Sequence, residues 1–211
     1  MKKFVSILAA AALCACTAVT AFADFNADRS ISVVSREDGS GTRGAFIELF
    51  GIEEKDAEGN KTDMTTQEAI VVNSTDVVLT TVAGDESAIG YVSLGSLNDT
   101  VKALKIDGVE ASTENIKAGT YTISRPFNIA TKGEPTGLAK DFIDFILSAE
   151  GQAVVSESYI TVNDEAAAYA GEKPEGKLVV AGSSSVSPVM EKLAEAYMAV
   201  NTGATIEIQT S

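Results

Sequence analysis

Ile31-Ser32-Val33-Val34-Ser35 runs straight into Arg36-Glu37-Asp38-Gly39-Ser40-Gly41-Thr42, and this junction decides the fold. The β-branched run predicts a strand. The Gly/Ser stretch predicts a tight turn, and Ala45, Phe46 and Leu49 share one face of a helix that begins there and stops near Gly51. A helix start presents free N–H groups and about half a positive charge. Gly lets the backbone come close to an oxygen, and Ser/Thr hydroxyls add donors, so such a corner can cradle an anion. Ser40, Gly41 and Thr42 are the candidate donors. Arg36 would add a fork of N–H groups suited to two oxygens of one anion. Asp38 would orient Arg36 or accept from a turn amide. From spacing alone, an ordinary helix entry with a surface Arg explains the stretch equally well.

The pattern recurs near the other end. Lys177 to Ala181 predicts a strand, Gly182-Ser183-Ser184-Ser185 a tight turn, and Pro188 the opening of a helix. Val189, Leu193, Tyr197 and Val200 lie along one side of that helix, and Thr205 to Ile208 predicts a strand. Ser183, Ser184 and Ser185 make a second cradle, for which a plain helix-capping cluster is the alternative. Two such corners in one chain point to a shared cleft.

Between them, Glu53 to Thr66 is polar and aperiodic and reads as an exposed loop. Ile70 to Val72 predicts a strand, and Asn73-Ser74 caps a helix over Thr75 to Val82 that ends near Gly84. Ala88 to Leu94 suits a buried strand. Val101 to Ile106 alternates and should pair, closing at Asp107-Gly108. Glu114 to Lys117 gives one helical turn. Arg125 to Thr131 predicts a strand that Pro126 places at a start or edge. Leu138, Phe142, Phe145 and Ile146 mark a strong helix, Gly151 to Ser156 a short one, and Tyr159 to Val162 a last strand. Asn163 to Gly176, rich in Ala, Glu, Gly and Pro, is the linker candidate. Alternating strands and helices define an α/β class.

Composition narrows the chemistry. The 211 residues carry a net charge of -14, which repels nucleic acid and anionic headgroups. That balance does not forbid an anionic ligand, because surface charge is screened over about 8 Å at physiological salt. There is no His, which removes the Ser-His-Asp triad and the commonest transition-metal ligand. Neither corner is a Gly-x-Ser-x-Gly elbow. The acidic residues are scattered rather than set in a calcium-loop pattern. These features argue against an enzyme, and no cofactor or metal is expected. Lys2-Lys3, the apolar stretch from Phe4 to Thr20 and Ala21-Phe22-Ala23 read as a signal peptide over residues 1–23. Leu13-Cys14-Ala15-Cys16 offers the competing reading of a lipid anchor at Cys16. Both cysteines lie in this segment, so thiol chemistry is excluded from the mature chain. The expected location is extracytoplasmic, secreted or at the cell surface.

Ser35-Arg36-Glu37-Asp38-Gly39-Ser40-Gly41-Thr42-Arg43 closely resembles the signature of phosphate-binding proteins of the phosphate ABC importer. Ile89 to Gly95, Ser124-Arg125-Pro126-Phe127, Phe142 to Gln152 and Ala181 to Met190 are also similar to that family. The resemblance implies a periplasmic-binding-protein-like fold of type II, in which two α/β lobes close on dehydrated phosphate. It implies ligands Arg36, Ser40, Gly41 and Thr42 from one lobe and Ser184 and Ser185 from the other, with Asp38 beside Arg36. Residues 24–124 would form the first lobe. Residues 125–162 would supply a return strand and helices of the other, 163–176 the linker, and 177–211 that lobe's first strand-helix-strand unit. The Ala-Gly-Ser-Ser unit normally comes first in the family and here comes last, so the chain resembles a circularly permuted member. It also resembles a C-terminally truncated one, with one lobe largely complete and the other partial. The segment bearing an Asp that accepts from the phosphate proton lies outside the sequence, which bears on selectivity against sulfate. The implied partners are inorganic phosphate and the importer's membrane permease, with a second chain completing the truncated lobe as a further expectation. The alternatives are a truncated or split member that binds weakly by itself, and a binder of another tetrahedral oxyanion such as sulfate or molybdate.

Overall fold

The computed structural model describes residues 28–210. The expected signal peptide and the alternative anchor at Cys16 lie outside the described residues.

The first junction forms as expected. Strand β1 (Ser32–Arg36) leads through a turn to helix α1 (Gly41–Leu49). Gly39 sits in that turn at φ +86°, where a Cβ would be strained. The buried contact of α1 is Ile47 rather than the expected Ala45, Phe46 and Leu49, which are only half-buried. The helix approaches the sheet through its Ile47 side, and Phe46 is turned toward Tyr91 instead, stacked at 4.1 Å between ring centroids.

Glu53 to Thr66 is not an open loop. It is a hairpin of β2 (Glu53–Lys55) and β3 (Lys61–Asp63), paired antiparallel. Asp56 builds the turn by accepting from the N–H groups of Glu58 and Asn60. A Lys61–Glu53 ion pair crosses the strands. Charged pairs and an Asx turn replace the apolar alternation that strand reading relies on.

Strand β4 (Ile70–Val72) feeds helix α2 (Thr75–Gly84), capped by Ser74 accepting from Val77 N–H. Strand β5 (Ala88–Ile89) is far shorter than the expected Ala88 to Leu94 run. The three strands form a parallel sheet in the order β4-β1-β5, with fully buried Val34 at its centre. Val78 and Leu79 of α2 pack on this sheet together with Ile47.

Beyond β5 the chain makes a 3-10 turn at Leu94–Ser96 and a short helix α3 (Thr113–Lys117). The strand expected over Val101 to Ile106 reduces to one bridge, Ile106 to Val109, across the Asp107-Gly108 turn. Arg125 to Thr131 and Tyr159 to Val162 form no strand either. A β-branched run becomes a strand only when it pairs, and among the described residues no named strand pairs with these three.

The remaining elements share one core. Helices α4 (Gly137–Ile146) and α5 (Ala149–Val155) precede strand β6 (Gly176–Gly182), helix α6 (Ser187–Val200) and strand β7 (Ala204–Thr210). The two strands pair in parallel through seven residues, from Gly176 with Ala204 to Gly182 with Thr210. Phe142, Phe145 and Ile146 of α4 meet Val189, Leu193, Ala194 and Tyr197 of α6 over Ala204 and Ile206. Val200, expected on the same side, is exposed at the last position of α6. The linker candidate 163–176 has no helix or strand before Gly176, yet it is tied down. Ala167 accepts from Ala149 N–H, and Asp141 accepts from Glu172 N–H and the Tyr169 hydroxyl.

Candidate functional site

Both predicted corners lie at the carboxyl end of a strand where a helix starts, and the structure brings them together. The Thr42 hydroxyl sits 2.9 Å from the Ser185 hydroxyl. Ser185 is also 3.2 Å from the Ser183 hydroxyl. A Cβ on Gly41 would stand 4.0 Å from the Ser183 Cβ, so the two backbones approach within side-chain contact.

Arg36 is 1% exposed. A buried guanidinium is costly unless it is paired, and its partner is Glu37. The Nε and Nη2 groups each donate to one Glu37 carboxylate oxygen at 2.8 Å. The bond from Arg36 holds the Glu37 carboxyl below its ordinary range. The Nη1 group points to the Thr75 hydroxyl at 3.4 Å, and Thr75 lies 3.2 Å from the Ser184 hydroxyl. A file of groups therefore runs from Arg36 through Thr75 to Ser184, beside the Thr42–Ser185–Ser183 file.

Asp38, expected to orient Arg36, does not reach it. Its side chain is 99% exposed and pairs with Arg43 at 2.9 Å. Glu37, not Asp38, is the acid that meets the guanidinium. Arg43 also donates from Nε to Asp63 and from Nη1 to the Arg36 carbonyl, both at 2.8 Å. It thereby straps the β3 end of the hairpin to the corner. Ser40 is the α1 cap and accepts from Arg43 N–H at 3.3 Å.

The segment after β5 supports both corners. The Tyr91 hydroxyl accepts from Arg36 N–H at 3.0 Å and lies 2.9 Å from the Ser35 hydroxyl. Four residues on, Gly95 lies under the Tyr159 ring, where a Cβ would come within 2.3 Å of the ring. The Tyr159 hydroxyl donates to the Ser185 carbonyl at 2.6 Å. A cavity of about 230 Å³ opens beside the site, with Ser74, Thr75, Asp76, Ser96, Asn98 and Ser184 on its polar lining.

Sequence reading missed Thr75, Glu37, Tyr91 and Tyr159. Thr75 was within reach, since Val72-Asn73-Ser74-Thr75 is a third strand end that runs into a capped helix. Glu37 and the tyrosines carry no signal in spacing, because their roles follow from how distant segments fold together.

The PBP superfamily domain matches residues 4–150 of this chain. The chain belongs to the PBP superfamily. Within this superfamily it is 60% identical over 183 residues to phosphate-binding protein PstS 2 of Streptococcus agalactiae serotype V, covering 86% of this chain and 62% of that protein. It is 48% identical over 200 residues to phosphate-binding protein PstS 2 of Streptococcus pneumoniae serotype 4, covering 94% of this chain and 68% of the relative. A match that long passes through both corners, so the pneumococcal protein carries the corresponding stretches in the same order. The chain thus spans about three fifths of the length of the S. agalactiae relative. Among solved structures, a phosphate-binding protein of a phosphate ABC transporter from Streptococcus pneumoniae aligns with a TM-score of 0.70 at 49% identity, over 87% of this chain and 71% of that one. A phosphate ABC transporter substrate-binding protein from Clostridium perfringens, solved with bound phosphate, aligns with a TM-score of 0.56 at 45% identity, over 64% of this chain and 54% of that one.

Proposed function

We propose that this PBP-superfamily protein binds inorganic phosphate between its two corners and delivers it to an ABC importer outside the cytoplasm. The observation that carries this reading is the buried Arg36, aimed through Thr75 at Ser184 while Thr42 meets Ser185. In this reading Arg36, Ser40, Gly41, Thr42, Ser184 and Ser185 are the ligands, and Thr75 joins them. Hydroxyls that face one another across the corners can rotate and donate to phosphate oxygens instead, since each carries one hydrogen and two acceptor positions. The names of the relatives and the phosphate held by the clostridial protein support the choice of ion. Among the described residues no helix is long and apolar enough to cross a membrane.

We assign residues 24–124 to one lobe, and 125–162 with 177–211 to the other, joined by 163–176. The core shared by α4, α6, β6 and β7 supports that division. Closure of the lobes would present a surface to a membrane permease. A second chain that completed the second lobe would pair along β7, whose outer edge meets no strand among the described residues.

Calorimetric titration of the purified protein with inorganic phosphate tests the reading. Binding at micromolar concentration or tighter is expected, and a flat titration counts against it. A thermal-shift panel of phosphate, sulfate and molybdate reads selectivity, since a ligand stabilises the fold by mass action. Arg36→Ala should abolish the phosphate shift, and an unchanged shift would remove Arg36 from the site.

A further inference from the structure

The sequence suggests that the whole Arg36 fork is offered to the anion. The structure divides the fork. Glu37 takes the edge formed by Nε and Nη2, with two bonds of 2.8 Å. The Nη1 end is left toward Thr75, which in turn meets Ser184. Glu37 is itself about one third exposed, whereas the guanidinium it holds is buried. A carboxylate next to an anion site has two opposite effects. As a negative charge it repels the ligand. As a clamp it fixes which nitrogen faces the ligand, and misplacing a binding group by about 1 Å is expensive.

We propose that Glu37 is the positioning residue for Arg36, aiming the Nη1 end into the phosphate site while serving as the counter-ion of the buried guanidinium when the site is empty. The proposal rests on the phosphate-binding reading above. It assigns to Glu37 the role that sequence resemblance gives to Asp38, whose carboxylate pairs with Arg43.

The two effects of Glu37 differ in sign, and calorimetry with inorganic phosphate separates them. If Glu37 aims Arg36, Glu37→Ala weakens phosphate binding by roughly tenfold, the scale of one charge-assisted hydrogen bond lost to poor geometry. Glu37→Gln, which keeps one acceptor for the fork, should fall between Ala and the parent. Binding by Glu37→Ala that equals or exceeds the parent overturns the proposal and leaves phosphate binding standing. A flat titration of the parent protein overturns the phosphate reading and with it the aiming role. The clamp is then judged without ligand, by thermal unfolding of Glu37→Ala in the parent and in an Arg36→Ala background. A real clamp makes the Glu37 substitution costly only while Arg36 is present, and equal losses in both backgrounds refute it.

Discussion

The two corners are alike in outline and opposite in construction. The Arg36–Thr42 corner is held by charge. Glu37 clamps Arg36, Arg43 ties Asp38, Asp63 and the Arg36 carbonyl together, and Tyr91 holds the strand end. Its apolar support is thin, consisting of Val34, Ile47, Val78 and Leu79. The Gly182–Ser185 corner contains no charged residue. It is held by the Ser183 carbonyl, which accepts from the Val186 and Ser187 N–H groups, and by Tyr159. Beneath it lies the aromatic core of α4 and α6. One corner is a network of paired charges, and the other is a floor of hydroxyls. A charged network gives direction at low packing cost, whereas a neutral corner depends on packing for its rigidity.

If packing carries the second region, its core is where the largest loss lies. Phe145 is 1% exposed and contacts the rings of Tyr169 and Tyr197. Phe145→Ala should cost roughly 3–5 kcal/mol in urea unfolding. Ile47→Ala in the first region should cost about 2 kcal/mol, the low end for such a deletion. Equal losses would break the contrast.

The second region does contain one buried charge. Asp141 accepts from the hydroxyls of Tyr169 and Tyr197 and from Glu172 N–H, and Tyr197 in turn accepts from Asn201. Burial pushes the Asp141 carboxyl up, but the two hydroxyls and the backbone amides outweigh it and hold the group below its ordinary range. The unfolded chain therefore binds this proton more readily, and stability rises with pH across the window between the two values. The contribution is full above about pH 4, the unfolded value, and fades as pH falls through the lower folded value. Asp141→Asn should cost about 1–3 kcal/mol at neutral pH, because tyrosine donors are left poorly matched. Its urea midpoint should fall less steeply than the parent's below pH 4. Parallel acid profiles would show that Asp141 does not carry this dependence.

The same contrast explains what the sequence disclosed. Helical periodicity at Leu138, Phe142, Phe145 and Ile146 is a packing signal, and it located α4. The small-residue turns at Gly39 to Thr42 and Gly182 to Ser185 marked both corners. The hairpin at Glu53 to Asp63 escaped because its pairs are charged and its turn is made by Asp56. The segment after Ile89 was apolar enough for a strand, but its residues are used as props, with Tyr91 under Arg36 and Gly95 under Tyr159. Arg36, the candidate cation of the motif, lies buried at the first corner. Which of two adjacent acids would clamp it is a distinction that composition cannot make.

The bridge between the corners gives a smaller test. Thr42→Val keeps the shape and removes the hydroxyl that meets Ser185. Phosphate affinity should fall by roughly fivefold to tenfold, the scale of one hydrogen bond. Thr42→Ser should restore most of it. If Thr42→Val binds as the parent does, the contact is only packing between the corners.

Ser40 gives the finest division, because one hydroxyl can serve both structure and ligand. Its oxygen accepts from Arg43 N–H as the α1 cap, which leaves its hydrogen free to donate to an anion. Without phosphate, Ser40→Ala should cost about 1 kcal/mol of stability through the lost cap, and Ser40→Gly only a few tenths. With phosphate, both variants lose the same donor, so both should bind several-fold more weakly. Affinities that track the two stability losses would mean that Ser40 acts through the cap alone. The donors of the charged corner would then be Arg36, Thr42 and the backbone amides at the start of α1.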